Sequence, residues 1–233
     1  MSKKLSHYIP NLLTLTNSLS GAIGTALTLQ GNLRAAAICL VISLIADFFD
    51  GFTARKLEAY SPLGKDLDSL ADAISFGVLP ASMVYNEVAL LSPIGSYLAY
   101  LIVPASVYRL AKFNHDERQN HSFIGLPTPS NAIFWLGLAW FLRDQMEQLR
   151  SLSDSTVTLI VSGIITLVIL FSYLLVSEIP MFSLKGGSFG WRDSWRLYLT
   201  VIVGLVCVGT WGVPGLAITI GFYVLVNLIS RRA

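Results

Sequence analysis

The chain has 233 residues, 54% of them hydrophobic and only 13% charged, with a net charge of +2 at pH 7 and a mean hydropathy of +0.63. That balance excludes a water-solvated domain of ordinary composition and points to a polytopic membrane protein in which lipid is the solvent. The small net charge gives no reason to invoke nucleic acid, and the two cysteines, Cys39 and Cys207, lie in apolar runs without a partner at disulfide or zinc-ligand spacing.

Residues Met1 to Tyr8, with Lys3 and Lys4, read as a short amphipathic piece lying along the membrane interface. A cleavable signal is not expected, because the apolar stretch that follows is long, carries Asn11, Thr14, Thr16 and Asn17, and lacks a small-residue cleavage site. Apolar segments of spanning length then run approximately Ile9 to Gln30, Leu33 to Phe52, Asp68 to Leu91, Ile94 to Phe113, Ser130 to Leu149, Thr156 to Val176, Trp195 to Thr210 and Val213 to Ile229. The expectation is an all-α helical bundle of about eight transmembrane helices, forming one domain over residues 1–233. Ser130 reads as an N-cap, since Pro127 and Pro129 keep the chain before it extended. Gly212, Pro214 and Gly215 mark a short turn between the last two helices.

Charge sets the expected orientation. With eight spans both termini share one side, together with Arg55, Lys56, Lys65, Arg109, Lys112, Arg118, Lys185, Arg192, Arg196, Arg231 and Arg232 besides Lys3 and Lys4. The other side holds Arg34, Arg143 and Arg150. Thirteen cations against three predict that the termini and the loop after the second span face the cytoplasm of a cell membrane.

Four aspartates, Asp47, Asp50, Asp68 and Asp72, stand beside these apolar runs. Each would cost about 2.5–3.5 kcal/mol near a helix centre, so four left unpaired would cost about 10–14 kcal/mol. Two divalent cations would neutralise them, and a metal pair is also what phosphoryl chemistry uses to clamp attacking and leaving oxygens. Asp47 and Asp50 share a helix face that Gly51 and Ala54 continue with small side chains. Ser61 fits an N-cap and Pro62 the first position of the next helix, on which Gly64, Asp68 and Asp72 form a stripe at steps of four. A short connection around Leu57 to Tyr60 would point both pairs into one space, with Arg55 at its rim as a cation for phosphate oxygens. Asp66 faces away from the stripe and reads as a solvated charge.

The segment DFFDGFTARKLEAYSPLGKDLDSLAD, Asp47 to Asp72, therefore reads DxxDGxxARx8Gx3Dx3D. It resembles the signature of the CDP-alcohol phosphatidyltransferase family, with every fixed position present. The resemblance implies a membrane enzyme that transfers a phosphatidyl group from a CDP-linked lipid to an alcohol and releases CMP. It further implies two metal ions, Mg2+ or Mn2+ with Ca2+ as an alternative, on the four aspartates, with Asp72 as general base. Asn11 and Thr14, spaced i, i+3 on the first helix, would join Gly51, Ala54, Arg55 and Gly64 in holding the CDP-lipid; their alternative is hydrogen bonding to a neighbouring helix. A homodimer is implied as well.

Two further segments, DSLADAISFGVLP (Asp68 to Pro80) and FIGLPTP (Phe123 to Pro129), resemble the phosphatidylserine synthase branch of that family. They imply L-serine as acceptor, with glycerol 3-phosphate or inositol phosphate as alternatives. Arg109 and Lys112, spaced i, i+3 near the end of the fourth span, are then available for the serine carboxylate, unless they serve only as positive-inside anchors. Gly125 and the prolines could equally do no more than shape a loop. His7, His115 and His121 have no metal-ligand partner at regular spacing. Lys185, Gly186 and Gly187 in the Ser177 to Trp195 loop make only a weak phosphate cradle, and Trp135, Trp140, Trp191, Trp195 and Trp211 read as packing or interface anchors. Two other readings compete. An intramembrane prenyltransferase would carry its aspartate motifs far apart in sequence, and a carboxylate-relay ion transporter would show repeats or midplane clustering.

Overall fold

A computed structural model describes residues 3–115, 123–181 and 191–230, with side chains described for 8–115, 124–181 and 195–229. Arg118, His121, Lys185, Gly186 and Gly187 and the side chains of His7 and Trp191 lie outside these.

The chain folds into α1 (Lys3–Leu29), α2 (Leu33–Lys56), α3 (Pro62–Asp72), α4 (Leu79–Ala89), α5 (Ile102–His115), α6 (Thr128–Asp144), α7 (Met146–Arg150), α8 (Asp154–Val176), α9 (Trp191–Trp211) and α10 (Gly215–Ser230). The expected N-terminal piece and the first span are one helix, since α1 runs from Lys3 with Pro10 inside it. A π-helical turn, Ala73–Val78, joins α3 to α4, so Pro62–Ala89 is a single rod. Residues Gly95–Leu101 form a 3-10 helix that leads into α5.

Four of these helices, Tyr8–Leu29, Leu33–Lys56, Pro62–Ala89 and Asp154–Val176, are long and apolar enough to cross a membrane. Trp195–Trp211 and Gly215–Ile229 are shorter apolar helices. Exposed Ile38, Ile45, Leu159, Ile169 and Leu205 belong to the surface that lipid would cover. Inside, Trp135 is fully buried against Phe134 and Phe171, whose rings stack at 3.9 Å between centroids. A second apolar cluster joins Leu33, Leu40, Phe76, Leu79 and Met83 from the second and third spans to Leu136 of α6. Glycines bring backbones together there: a Cβ on Gly21 would sit 2.7 Å from the Ser75 Cα.

The ends of α2 and α3 explain why the aspartates meet. The Ala59 N–H donates to the Ala54 carbonyl and the Glu58 N–H to that of Arg55, a Schellman motif that closes α2. Its left-handed position, φ 50°, is held by Glu58 instead of glycine. Glu58→Gly should therefore raise stability by about 0.5–1 kcal/mol, read as a higher midpoint in detergent thermal unfolding. The chain then reverses into α3, where the Ser61 hydroxyl accepts the Gly64 N–H at 2.9 Å and Pro62 opens the helix, the expected arrangement.

The start of α6 differs from expectation. Ser130 is not the cap; the helix begins at Thr128 after an extended Pro127, with no side-chain cap. Pro129 is tolerated because its position in the first turn has no N–H partner to lose. Just before it, β1 (Phe123–Ile124) pairs antiparallel with β2 (Pro180–Met181). Gly125 has φ 77°, and a Cβ there would lie 2.8 Å from the Leu175 carbonyl oxygen, so the glycine of FIGLPTP is required by the backbone itself. Gly212, at φ 65°, makes the expected turn between α9 and α10.

At the opposite end of the bundle, Arg143 of α6 donates to both carboxylate oxygens of fully buried Glu87 on α4, at 2.6–3.2 Å, and to the Gly31 carbonyl at 2.7 Å. One guanidinium thus ties α6 and α4 to the turn between α1 and α2, away from the aspartates.

Candidate active site

Asp47, Asp50 and Asp68 bring one carboxylate oxygen each to within 4.8 Å of one another. Two come from the last turns of α2 and one from the middle of α3, so the reversal at Leu57–Ser61 is what assembles them. Three hard, anionic oxygens at that spacing suit a divalent cation of the magnesium or manganese type. Asp72 is not in this trio. It lies one turn deeper on α3, almost fully buried and within electrostatic range of Asp47, Asp68 and Asp50.

Helix α1 supplies the supports. The Thr14 hydroxyl donates to an Asp50 carboxylate oxygen at 2.6 Å, a charge-assisted bond that fixes how that carboxylate faces its neighbours. One turn on, the fully buried Asn17 donates its side-chain amide to the Asp72 carboxylate at 3.2 Å. The Ser43 and Ser75 hydroxyls both donate to the Asn17 carbonyl, which pins this turn of α1 to α2 and to the π-helical turn. Asn17 is the functional candidate the sequence reading passes over. Its signal is there, since Asn11, Thr14 and Asn17 repeat at steps of three on one face.

Outside the carboxylates opens a cleft of about 710 Å3, lined on α1 by Asn11 and Thr14, on α2 by Asp50, Gly51, Ala54 and Arg55, and on α3 by Gly64, Lys65 and Asp68. This size suits a nucleotide-sized ligand. Gly64 faces the Asn11 amide oxygen, and the Gly51 Cα hydrogen points toward the Arg55 guanidinium. Six of the sequence candidates for lipid-nucleotide contact, Asn11, Thr14, Gly51, Ala54, Arg55 and Gly64, therefore stand in one wall system. Asp66 is exposed on the other side of α3. Lys65, not singled out by sequence, lines the cleft and donates to the Asn114 carbonyl at 2.6 Å, while Asn114 donates to the Ser69 hydroxyl at 2.7 Å, latching α3 to the end of α5.

Arg109 and Lys112 do not line this cleft. Lys112 pairs with the Glu178 carboxylate at 3.1 Å on the surface, an interaction of about 0–1 kcal/mol. Arg109 is turned inward, 6% exposed, with one guanidinium N–H to the Thr128 hydroxyl at 3.4 Å and its charge 5.8 Å from the Phe113 ring centre. It lies within electrostatic range of Asp72. The shared spacing of the two cations thus leads to different places. Trp135 is core and Trp140 half-buried packing, whereas Trp211 is exposed at its helix end.

Known proteins bear on this arrangement. A Helicobacter pylori CDP-diacylglycerol–serine O-phosphatidyltransferase is 30% identical over 228 residues, 96% of this chain and 90% of that protein. A Bacillus subtilis protein of the same name is 36% identical over 124 residues, covering 53% of this chain and 70% of its own length. An archaetidylserine synthase of Methanothermobacter thermautotrophicus is 36% identical over 135 residues, 56% of this chain and 58% of its own. The family model for CDP-alcohol phosphatidyltransferases matches residues 7–175, which include all four aspartates and every helix that carries the cleft, and the chain belongs to that family.

Proposed function

We propose that the chain transfers a phosphatidyl group, or the corresponding group of a related CDP-lipid, to the hydroxyl of L-serine and releases CMP. The observation that carries this is the convergence of Asp47 with Asp50 and Asp68, the latter two lining a nucleotide-sized cleft, in a chain related over nearly its full length to a serine phosphatidyltransferase. Neither a prenyltransferase nor an ion transporter accounts for that combination.

Two divalent cations, Mg2+ or Mn2+, held by Asp47, Asp50, Asp68 and Asp72, would supply charge neutralisation to the diphosphate and its leaving phosphate. The residues of the chain do the rest. Arg55 and Lys65 at the cleft rim meet phosphate oxygens, and the small Gly51, Ala54 and Gly64 let the nucleotide approach the backbone. Asn11 and Thr14 close the α1 side. Asn17 donates to one oxygen of Asp72 and orients the carboxylate, which takes the proton of the serine hydroxyl as it attacks the phosphorus bonded to the lipid alcohol. Arg109, buried beside Asp72, receives the acceptor carboxylate, with Lys112 and Glu178 at the outer edge. The lipid tails remain between helices, in contact with the bilayer.

Eight spans with both termini and the cleft on the cytoplasmic side of the cell membrane fit the charge asymmetry, and a homodimer fits the family. The decisive experiment gives purified protein a CDP-diacylglycerol, Mn2+ and separate acceptors. CMP release should be fastest with L-serine, by more than tenfold over glycerol 3-phosphate, inositol or inositol phosphate. Faster release with any of those three rejects serine as the acceptor.

A further inference from the structure

Beneath the cleft, between α5 and α6, lies a second set of polar side chains that the carboxylate site does not use. Ser106 and Arg109 share a face of α5, and Thr128 and Asn131 share a face of α6. The Arg109–Thr128 hydrogen bond brings the two faces together. All four residues are buried, Ser106 and Asn131 completely. Beside them stands the π-helical turn, whose Gly77 lets Ser106 come close, and Asp72 and Tyr223 of α10 lie within electrostatic range of Arg109.

Three polar atoms in this set, the Ser106 hydroxyl, the Arg109 Nε and the Asn131 Nδ2, have no hydrogen-bond partner among the described residues. Buried groups of this kind are rarely left unpaired, and three together on facing helices ask for a ligand. Their chemistry is one-sided. The Asn131 amide oxygen accepts the Trp135 indole N–H at 2.9 Å, so the amide is oriented and its free end is the NH2 donor. Arg109 Nε can only donate, and the Ser106 hydroxyl can donate as well. A group made solely of acceptors is called for, with a single negative charge to match a single guanidinium.

We infer that Ser106, Arg109 and Asn131 form a buried set of donors that binds a carboxylate and selects an α-amino-acid acceptor. This deepens the acceptor reading above and rests on it. A carboxylate held there by three donors leaves the amino and hydroxyl groups to extend toward Asp72, which lies within electrostatic range of Arg109. Alcohols lacking a carboxylate would leave all three donors unpaired, which is a stronger basis for rejection than a poor fit of shape. A phosphate monoester would bring up to two charges to one cation.

The test measures binding and turnover separately in Ser106→Ala and Asn131→Ala. Calorimetry with purified protein should show L-serine weakened about tenfold or more in each variant, as expected when a hydrogen bond to a charged group is lost. CDP-diacylglycerol binding in Mn2+ should stay within about twofold, and the preference for L-serine over ethanolamine in CMP release should shrink. Ser106→Ala removes a single oxygen and carries the test should Asn131→Ala fail to fold. L-serine affinity equal to wild type in the folded variants overturns the carboxylate site, as does a wild type that binds ethanolamine as tightly as L-serine. A wild type that binds L-serine through these residues yet releases no CMP with it keeps the carboxylate site and refutes the acceptor reading.

Discussion

Asp72→Asn abolishes all but about 10−2 to 10−4 of turnover while the protein still folds and binds its CDP-lipid, if Asp72 is the general base. The substitution suits this question because it keeps shape. The Asn17 amide that now meets Asp72 at 3.2 Å can donate to the new amide oxygen equally well, so that buried donor keeps its partner. What disappears is the ability to accept a proton. CMP release measured beside equilibrium CDP-lipid binding separates the two effects, and turnover within threefold of wild type would sink the assignment of the base. Asp66→Asn, on the exposed side of the same helix, should leave both readings near wild type.

Asp50→Ala has a different signature, with binding lost along with turnover. Asp50 is buried, belongs to the carboxylate trio and receives the Thr14 hydroxyl. Its removal should weaken Mn2+-dependent CDP-lipid binding by at least about a hundredfold, and Thr14→Val, which removes only the orienting bond, by about tenfold. A Mn2+ titration followed by calorimetry reads both. If Asp50→Ala binds Mn2+ and CDP-lipid as wild type does, the trio is not the metal site.

Local chemistry makes much of this candidate site legible in the sequence. The spacing of the aspartates on two helices, the Ser61 cap, the proline that follows it and the Gly212 turn are all written in short stretches, and each is dictated by neighbours along the chain. Asn17 was not legible in the same way. Its partner Asp72 lies 55 residues on, and an asparagine inside an apolar helix reads equally well as a helix-packing group. The divergence of Arg109 from Lys112 also depends on packing, since the spacing that puts both on one face cannot say which one finds Thr128 and which finds Glu178. The π-helical turn after Asp72 and the placement of the α6 start at Thr128 are tertiary outcomes of the same kind. Proline marks where a helix is permitted to begin, but contacts with β1 and the end of α8 decide where it does.

The Pro62–Ala89 rod has 28 residues, so at 1.5 Å per residue it is about 42 Å long, against roughly 30 Å for the hydrocarbon layer of a bilayer. Some 12 Å must project or tilt into the headgroup zone. Counted from Pro62, Asp68 falls at about 9 Å and Asp72 at about 15 Å along that rod. If the surplus lies at this end, the carboxylate trio sits among lipid headgroups, at the depth of a phosphodiester, while Asp72 marks the upper boundary of the acyl chains. A lipid substrate would then keep its ordinary depth in the leaflet throughout the reaction. Only the water-soluble partners would have to travel to meet it.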